Sequence, residues 1–378
     1  MIVSYYYYLL LFIIIITIII LIGNYYYNLQ NKEAANATGA YYSLALGDAC
    51  KTKPAKFGCS GSDYAMTIAT AQLAIGTIWG IFLWLYPEGR PQPKITIDDF
   101  IKMIPSGVCS AGAHAASVFS LAAGGVAFGQ IVKAAEPAFS AIIGTVVYNK
   151  KISTAKWLCL IPVIGGVCLA ALKFDKNGKI ELDFTWGGLI GAIVANVFAS
   201  FKGLEGARML SDPTMKGRVG GAGNQFALMT IISLLTSIPL MIFREGELIL
   251  KFWAAFSGKV AIVPTAGLVK DALTKTLAAN EKAEKFNIIS TKIFENVILS
   301  GLTFYGYNEL STMTLTKVSA VTNSVANTAK RVVVIVGCAI AFNEDFSGLK
   351  PYGCAICMLG VGLYAVIDDL VKSKDKKH

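Results

Sequence analysis

Long blocks of apolar residues limit most strongly how this chain of 378 residues can fold. A run of roughly 18 or more apolar residues can cross the hydrocarbon core of a bilayer as a helix. Inside lipid the backbone must satisfy its own hydrogen bonds, so helices are the expected structure. The sequence therefore predicts an all-α polytopic membrane protein with ten transmembrane helices, near residues 7–30, 64–86, 100–123, 126–148, 154–172, 185–209, 224–243, 288–312, 318–342 and 350–369.

Composition supports a lipid environment. Charged residues make up only 15% of the chain, whereas soluble domains average about 25%. The net charge is +10, but most of the basic residues lie in loops and in a tail at 372–378, and they form no stripe. That distribution is typical of membrane topology and of contact with anionic headgroups. The predicted macromolecular partner is thus the lipid bilayer, and nucleic acid is not expected.

The cysteines predict neither a metal nor a cofactor. Cys354 and Cys357 have CxxC spacing, but they lie inside an apolar block without a second pair or a histidine, so packing is the expected role. Cys50 and Cys59 share one polar loop, and whether they form a disulfide stays open. No basic, serine-rich leader precedes the first block, which is interpreted as a retained span.

An internal repeat divides the chain. A shift of 194 positions aligns identical residues in the fifth and tenth blocks and the turns before them: Asn149/Asn343, Ser153/Ser347, Gly166/Gly360, Val167/Val361, Leu169/Leu363 and Ala171/Ala365. Halves with five spans each must be inverted. The predicted units are 1–183 and 184–371, followed by the tail 372–378. Inverted repeats place a substrate site near the midplane of the membrane, so this architecture predicts a transporter.

Ionisable side chains inside spans are candidate site residues, because each costs about 2.5 to 3.5 kcal/mol to insert. The third span carries His114 and Ser117 on one face. The fourth span carries Lys133 and Glu136, and the ninth span carries Asn327, Lys330 and Arg331.

The repeat makes Glu136 and Lys330 equivalent, since 136 + 194 = 330. Lys133, Lys330 and Arg331 can then face one cavity, with Glu136 pairing one of them. Such a surplus of cations suits a phosphate, which Arg binds through its planar fork and Lys as a point charge. The alternative is a structural charge network that links helices.

Two further residues are weaker candidates. Lys202 follows i,i+3 spacing with Glu205 and Arg208 in the sixth span, so pairing within the helix can explain it. Tyr307 lies late in the eighth span, where a tyrosine at a helix interface is the usual explanation.

Three motifs together resemble the plastid phosphate translocator family. They are the Asn-x-x-Asn-Lys run at 28–32, the Lys-Ala-x-Glu-Pro run at 133–137 and the Lys-Arg-Val run at 330–332. The resemblance extends from about Asn24 to Leu370. It implies the drug/metabolite transporter fold, with ten helices in an inverted five-plus-five arrangement, and strict exchange of substrates.

The resemblance also implies roles for single residues. The residues that correspond to the family's phosphate-binding trio are Lys133, Lys330 and Arg331. The residues that correspond to those contacting the rest of a C3 substrate are His114, Ser117 and Tyr307. Family members more often have threonine at position 117 and histidines at positions 130 and 323, where this chain has serine, Gln130 and Asn323. The presence of His114 favours triose phosphate and 3-phosphoglycerate over phosphoenolpyruvate.

The expected function is therefore exchange of inorganic phosphate for a phosphorylated C3 metabolite by a monomer in a plastid envelope membrane. The absent leader indicates either an outer membrane of a complex plastid or a truncated gene model. A nucleotide-sugar transporter of the same fold is the alternative. A membrane enzyme would need an acid/base or nucleophile constellation, and the sequence shows none. A membrane scaffold would not need an intramembrane Lys-Arg pair.

Overall fold

The structure is a computed structural model that describes residues 34, 37–38, 61–86, 90–174, 180–182, 184–210, 212–256, 280–315, 331–332, 334–337, 339–340, 346 and 348–375. A short 3-10 helix, Gly61–Tyr64, precedes the first long helix. The α-helices that follow are α1 (Ala65–Leu85), α2 (Ile97–Ala123), α3 (Val126–Ala134), α4 (Glu136–Val146), α5 (Thr154–Ala170), α6 (Trp186–Leu210), α7 (Pro213–Val219), α8 (Ala222–Phe256), α9 (Asn280–Leu315) and α10 (Lys350–Asp375).

The predicted polytopic helical fold is confirmed. Within the described ranges, five helical segments are long and apolar enough to cross a membrane: Ala65–Leu85, Val126–Val146, Trp186–Met209, Ala222–Gly246 and Lys350–Ile367. The second of them combines α3 and α4. Several predicted ends agree within two residues, as for α1 and α6. The count of ten spans and the division at residue 183 stay predictions.

Three features differ from the sequence prediction. Strands β1 (Leu172–Phe174) and β2 (Ile180–Leu182) form an antiparallel hairpin between α5 and α6. The seventh and eighth predicted spans are longer than expected: α8 continues to Phe256 after a kink at Glu245, and α9 begins at Asn280. Finally, α10 continues into the predicted basic tail as far as Asp375.

Other predictions fall outside the described residues. These are the first span at 7–30, the Asn-x-x-Asn-Lys run, Cys50 with Cys59, and the residues Asn323, Asn327 and Lys330. Of the ninth predicted span, residues 331–332, 334–337 and 339–340 are helical.

Helices α5 and α10 approach each other closely through glycines. A Cβ atom on Gly166 would lie 2.4 Å from the backbone nitrogen of Cys357, and one on Gly353 would lie 2.4 Å from that of Ala170. Small residues allow such close backbone approach between helices in membranes, where van der Waals packing replaces the hydrophobic drive for association. The two helices that the 194-residue repeat relates to each other are thus direct neighbours.

Helix α1 is held at its start by a distant carboxylate. Glu245, at the kink in α8, accepts hydrogen bonds from the backbone N–H groups of Met66 and Thr67, at 2.8 and 2.7 Å. The first N–H groups of a helix have no partner within the helix, and the positive end of the helix dipole favours an anion. Glu245 is only 5% exposed, so its burial is offset by these bonds.

Helix α2 begins with a capping box, in which Thr96 and Asp99 bond each other's backbone N–H groups. Asp99 also accepts two bonds from the Arg218 guanidinium, at 2.7 and 2.6 Å. These contacts hold the pKa of the Asp99 carboxyl well below its usual range, chiefly because of the Arg218 side chain. The pair therefore ties the first turn of α2 to helix α7.

We expect Asp99→Asn to lower the free energy of unfolding at pH 7 by about 2 kcal/mol, since hydrogen bonds to charged groups contribute on that order. A carboxyl with a lowered folded-state pKa stabilises fully above its unfolded pKa, near 4, and loses this effect as the pH falls further. The difference in melting temperature between wild type and variant should hence shrink below about pH 4. Asp98→Asn, on the adjacent exposed side chain, is the control, and an equal loss there would contradict the assignment.

Candidate functional site

The helix that carries the Lys-Ala-x-Glu-Pro motif is broken in the middle of the motif. Helix α3 ends at Ala134 and α4 starts at Glu136, with Ala135 at φ −76° and ψ 2° between them. Proline lacks an N–H donor, so Pro137 is accommodated in the first turn of a new helix. The predicted continuous helix over 126–148 is therefore wrong at Ala135, and the motif lies between two half-helices.

The break creates two helix ends that stabilise the charged side chains of Lys133 and Glu136. Lys133 lies in the last turn of α3 and Glu136 in the first turn of α4. The C-terminal end of a helix favours a cation and the N-terminal end an anion. Each half-helix thus stabilises the side chain at its own end, and irregular backbone at membrane depth is typical of transporter binding sites.

Lys133 contacts the third predicted span. Its ammonium donates to the Ser117 hydroxyl at 3.1 Å, and that hydroxyl donates to the Ala113 carbonyl at 2.6 Å. A serine hydroxyl has one hydrogen to donate and two lone pairs to accept with, so the two bonds are compatible. Ser117 therefore orients the ammonium of Lys133 from the neighbouring helix.

Glu136 contacts the ninth predicted span. Arg331 donates to its carboxylate at 2.7 Å, and the two side chains are 17% and 36% exposed. Glu136 also lies within electrostatic reach of Lys133 and Lys202. One carboxylate is consequently surrounded by three described cations, in Lys133, Lys202 and Arg331.

Aromatic rings join the remaining candidates. The His114 ring packs on Phe304 with centroids 4.1 Å apart, and Phe304 meets Tyr307 edge to face at 6.2 Å. The charges of Lys133 and Lys202 act on His114, and that of Arg331 acts on Tyr307. Both residues thus lie near the cations and are connected by Phe304. Phe304 was not identified from the sequence, although it lies three residues before Tyr307 and so on the same face of the helix.

The structure therefore brings together seven of the nine residues proposed from the sequence: His114, Ser117, Lys133, Glu136, Lys202, Tyr307 and Arg331. The other two, Asn327 and Lys330, lie outside the described residues. Among the described members, three permanent or ammonium cations face one carboxylate. Such a cluster is suited to binding a small anion, and a phosphate matches the Arg fork and the Lys charges.

Ser117→Ala should raise the dissociation constant for inorganic phosphate about tenfold, because a hydrogen bond to a charged group contributes about that factor in affinity. The phosphate dependence of the melting temperature measures this constant in the purified protein. Ser120→Ala is the matched control, since Ser120 lies on the same helix and donates to the Gly188 carbonyl instead, at 2.8 Å. If both substitutions changed the dissociation constant for phosphate equally, the proposed role of Ser117 in orienting Lys133 would be wrong.

Comparison with known proteins identifies relatives over most of the chain. The model of the Triose-phosphate Transporter family matches residues 56–365. A triose phosphate/phosphate translocator of Spinacia oleracea is 30% identical over 80% of this chain and 65% of its own length. A phosphoenolpyruvate/phosphate translocator of Oryza sativa subsp. japonica is 31% identical over 80% of this chain and 67% of its own length. A glucose-6-phosphate/phosphate translocator of Arabidopsis thaliana is 28% identical over 80% and 67%. The matched region is thus about two thirds of each relative's length.

Proposed function

Because this chain belongs to the triose-phosphate transporter family, we propose that it is an antiporter that exchanges inorganic phosphate for a phosphorylated metabolite across a plastid membrane. Relatives named for triose phosphate, phosphoenolpyruvate and glucose 6-phosphate all share phosphate in their names. Phosphate is thus the common substrate we assign here. For the counter-substrate we propose triose phosphate or 3-phosphoglycerate, with phosphoenolpyruvate as the third candidate.

The observation that carries the proposal is the group of cations at the broken helix. Lys133 ends one half-helix, and Arg331 reaches the carboxylate that begins the other. Buried charges are costly in a membrane unless they are paired or used. With Lys202 alongside, the group has more positive charge than Glu136 neutralises, and a phosphate dianion supplies the missing negative charge. We assign phosphate binding to Lys133 and Arg331, and also to Lys330, which directly precedes Arg331 in the sequence.

The residues His114 and Tyr307, which lie near the cations, suit the rest of the substrate. His114 and Tyr307 flank Phe304 and offer polar groups beside the cations, where the hydroxyl or carboxylate of a C3 compound can bind. We therefore propose that His114, Ser117 and Tyr307 contact the C3 part, while Glu136, Asn327 and Lys202 support the charge balance. This arrangement involves binding and release only, and we propose no enzymatic step.

Strict exchange follows from the same charges. An empty site contains cations that repel one another and that would lose water when the carrier switches between its two open states. Burying uncompensated charge costs several kcal/mol, so the empty carrier should reorient slowly. A bound phosphate compensates the charge and draws the helices together. Reorientation is then coupled to substrate, and net leak is small.

We propose that the protein is a multi-pass protein of a plastid envelope membrane, on the support of relatives named as chloroplastic and of the apolar helices described above. An outer membrane of a complex plastid is included in this proposal. We further propose that the monomer is the working unit, because the cations that form the site come from one chain.

The decisive experiment is uptake of labelled phosphate into proteoliposomes that contain the full chain. The vesicles are preloaded with phosphate, triose phosphate, 3-phosphoglycerate, phosphoenolpyruvate, glucose 6-phosphate or no substrate. We expect rapid uptake only into vesicles that contain a phosphorylated compound, with the C3 compounds ranking above glucose 6-phosphate. Equal uptake into empty vesicles would indicate a uniporter or channel, and inhibition only by nucleotide monophosphates would favour a nucleotide-sugar transporter.

A further inference from the structure

Helix α6 contacts both half-helices at the break. Asn196, which is fully buried, donates its side-chain amide to the Val132 carbonyl of α3 at 2.9 Å. One turn further along α6, Ser200 accepts a hydrogen bond from Ser140 of α4 at 2.9 Å. Residues four apart lie on one face of a helix. One face of α6 therefore bonds the end of one half-helix and the body of the other.

The bond from Asn196 reaches the backbone where regular helix bonding stops. The Val132 carbonyl also accepts from the Ala135 N–H, at 3.0 Å, in a tight three-residue step. Irregular backbone at membrane depth persists only where neighbouring groups satisfy it. Here Asn196, from helix α6, bonds the carbonyl of Val132, the residue directly before Lys133. Its bond thus fixes the peptide unit from which the Lys133 side chain extends.

Burying the Asn196 amide costs free energy, and packing alone does not explain why an amide stands at this position. Among the described residues, the Asn196 Oδ1 atom has no hydrogen-bond partner, and a buried polar atom without one destabilises the fold. The surroundings are otherwise apolar, since Phe128, Val132 and Ala192 pack together at the same α3–α6 contact. An apolar side chain of similar size would fit there without that cost, so the donated hydrogen bond is the property that the amide adds.

We propose that Asn196 is a positioning residue, which holds the broken helix in the conformation that places Lys133 opposite Arg331 and Glu136. This inference rests on the proposed phosphate exchange and adds to it a residue that does not touch the substrate. Without the amide, α3 remains packed on α6 through its apolar contacts, but the last turn of α3 loses its anchor. The ammonium of Lys133 is then displaced from the position in which it binds phosphate.

The test compares Asn196→Leu, which keeps the approximate volume and removes the amide, with wild type in phosphate–phosphate exchange in proteoliposomes. We expect the KM for phosphate to rise about tenfold or more, because a displaced Lys133 loses a hydrogen bond to a charged ligand that contributes about that factor in affinity. The maximal rate should change by less than about threefold. The phosphate concentration that raises the melting temperature of the purified protein should increase by the same factor as KM. Asn196→Ser serves as a second variant if the leucine side chain prevents folding.

Ser233→Ala is the matched control, because Ser233 is a fully buried residue of α8 that donates to the Gly107 carbonyl of α2 at 2.9 Å, away from the break. A purely structural role for Asn196 predicts that both variants lower the melting temperature and leave the KM for phosphate unchanged, and this result would overturn the inference while the antiporter stands. Absence of exchange by wild type with every phosphorylated compound would instead overturn the proposed function and the inference together.

Discussion

Arg331→Ala should lower kcat/KM for phosphate exchange in proteoliposomes by at least about 100-fold, because the site would lose two charge-assisted hydrogen bonds to phosphate, each worth about 1.5 kcal/mol or more. Arg331 is mostly buried and bonds Glu136 at 2.7 Å. A phosphate in the site would meet its planar fork, which offers two parallel donors that no other side chain reproduces. Arg331→Lys keeps the charge but loses the planar fork. We therefore expect its kcat/KM to lie between those of wild type and Arg331→Ala.

A double variant distinguishes loss of phosphate binding by Arg331 from repulsion of phosphate by the carboxylate of Glu136. Arg331→Ala also leaves Glu136 without the partner that it has in this structure, and that carboxylate alone could repel phosphate. Adding Glu136→Gln removes the repulsion. If the double variant recovered most of the exchange, Arg331 would serve only to neutralise Glu136. We expect little recovery. Lys151→Ala, at an exposed loop cation, controls for loss of one positive charge.

The sequence predicts the helical segments well because lipid leaves the backbone few choices. A chain crossing hydrocarbon must bond its own N–H and C=O groups, so block ends near 64–86 and 185–209 agree with α1 and α6 within two residues. The same reasoning failed at Ala135. The apolar block continues on both sides of the break, and only Pro137 indicated that the helix ends and restarts. Helix breaks depend on partners such as Asn196, whose contact spans 64 positions in sequence.

The candidate site was accessible to sequence reasoning to the extent that its residues are charged. Cations inside apolar blocks are conspicuous because they are costly, and the 194-residue shift related Glu136 to the neighbourhood of Arg331 before any contact was known. Phe304 and Asn196 gave no such signal. A phenylalanine in an apolar helix is ordinary, and one buried amide resembles many others until its hydrogen bond is seen. Their contribution comes from tertiary packing, which composition and spacing do not specify.

Gly166→Ala should destabilise the fold by about 3 kcal/mol, the upper end of the cost of overpacking a core. The added Cβ would lie 2.4 Å from the Cys357 nitrogen and 2.6 Å from the Gly353 carbonyl oxygen. Both are backbone atoms of α10, so no rotamer change relieves the overlap, and the two helices must separate. Separation would expose a contact that also buries Val163 and Met358. Thermal unfolding in detergent measures the loss.

The neighbouring residue provides a control within the same turn of helix. A Cβ on Gly165 would have no atom within 4 Å, and alanine is favoured over glycine inside a helix by up to about 1 kcal/mol. Gly165→Ala should therefore leave the melting temperature unchanged or raise it. Equal stability of the two variants would mean that α5 and α10 do not touch through Gly166. The two helices that the repeat relates would then not be direct neighbours.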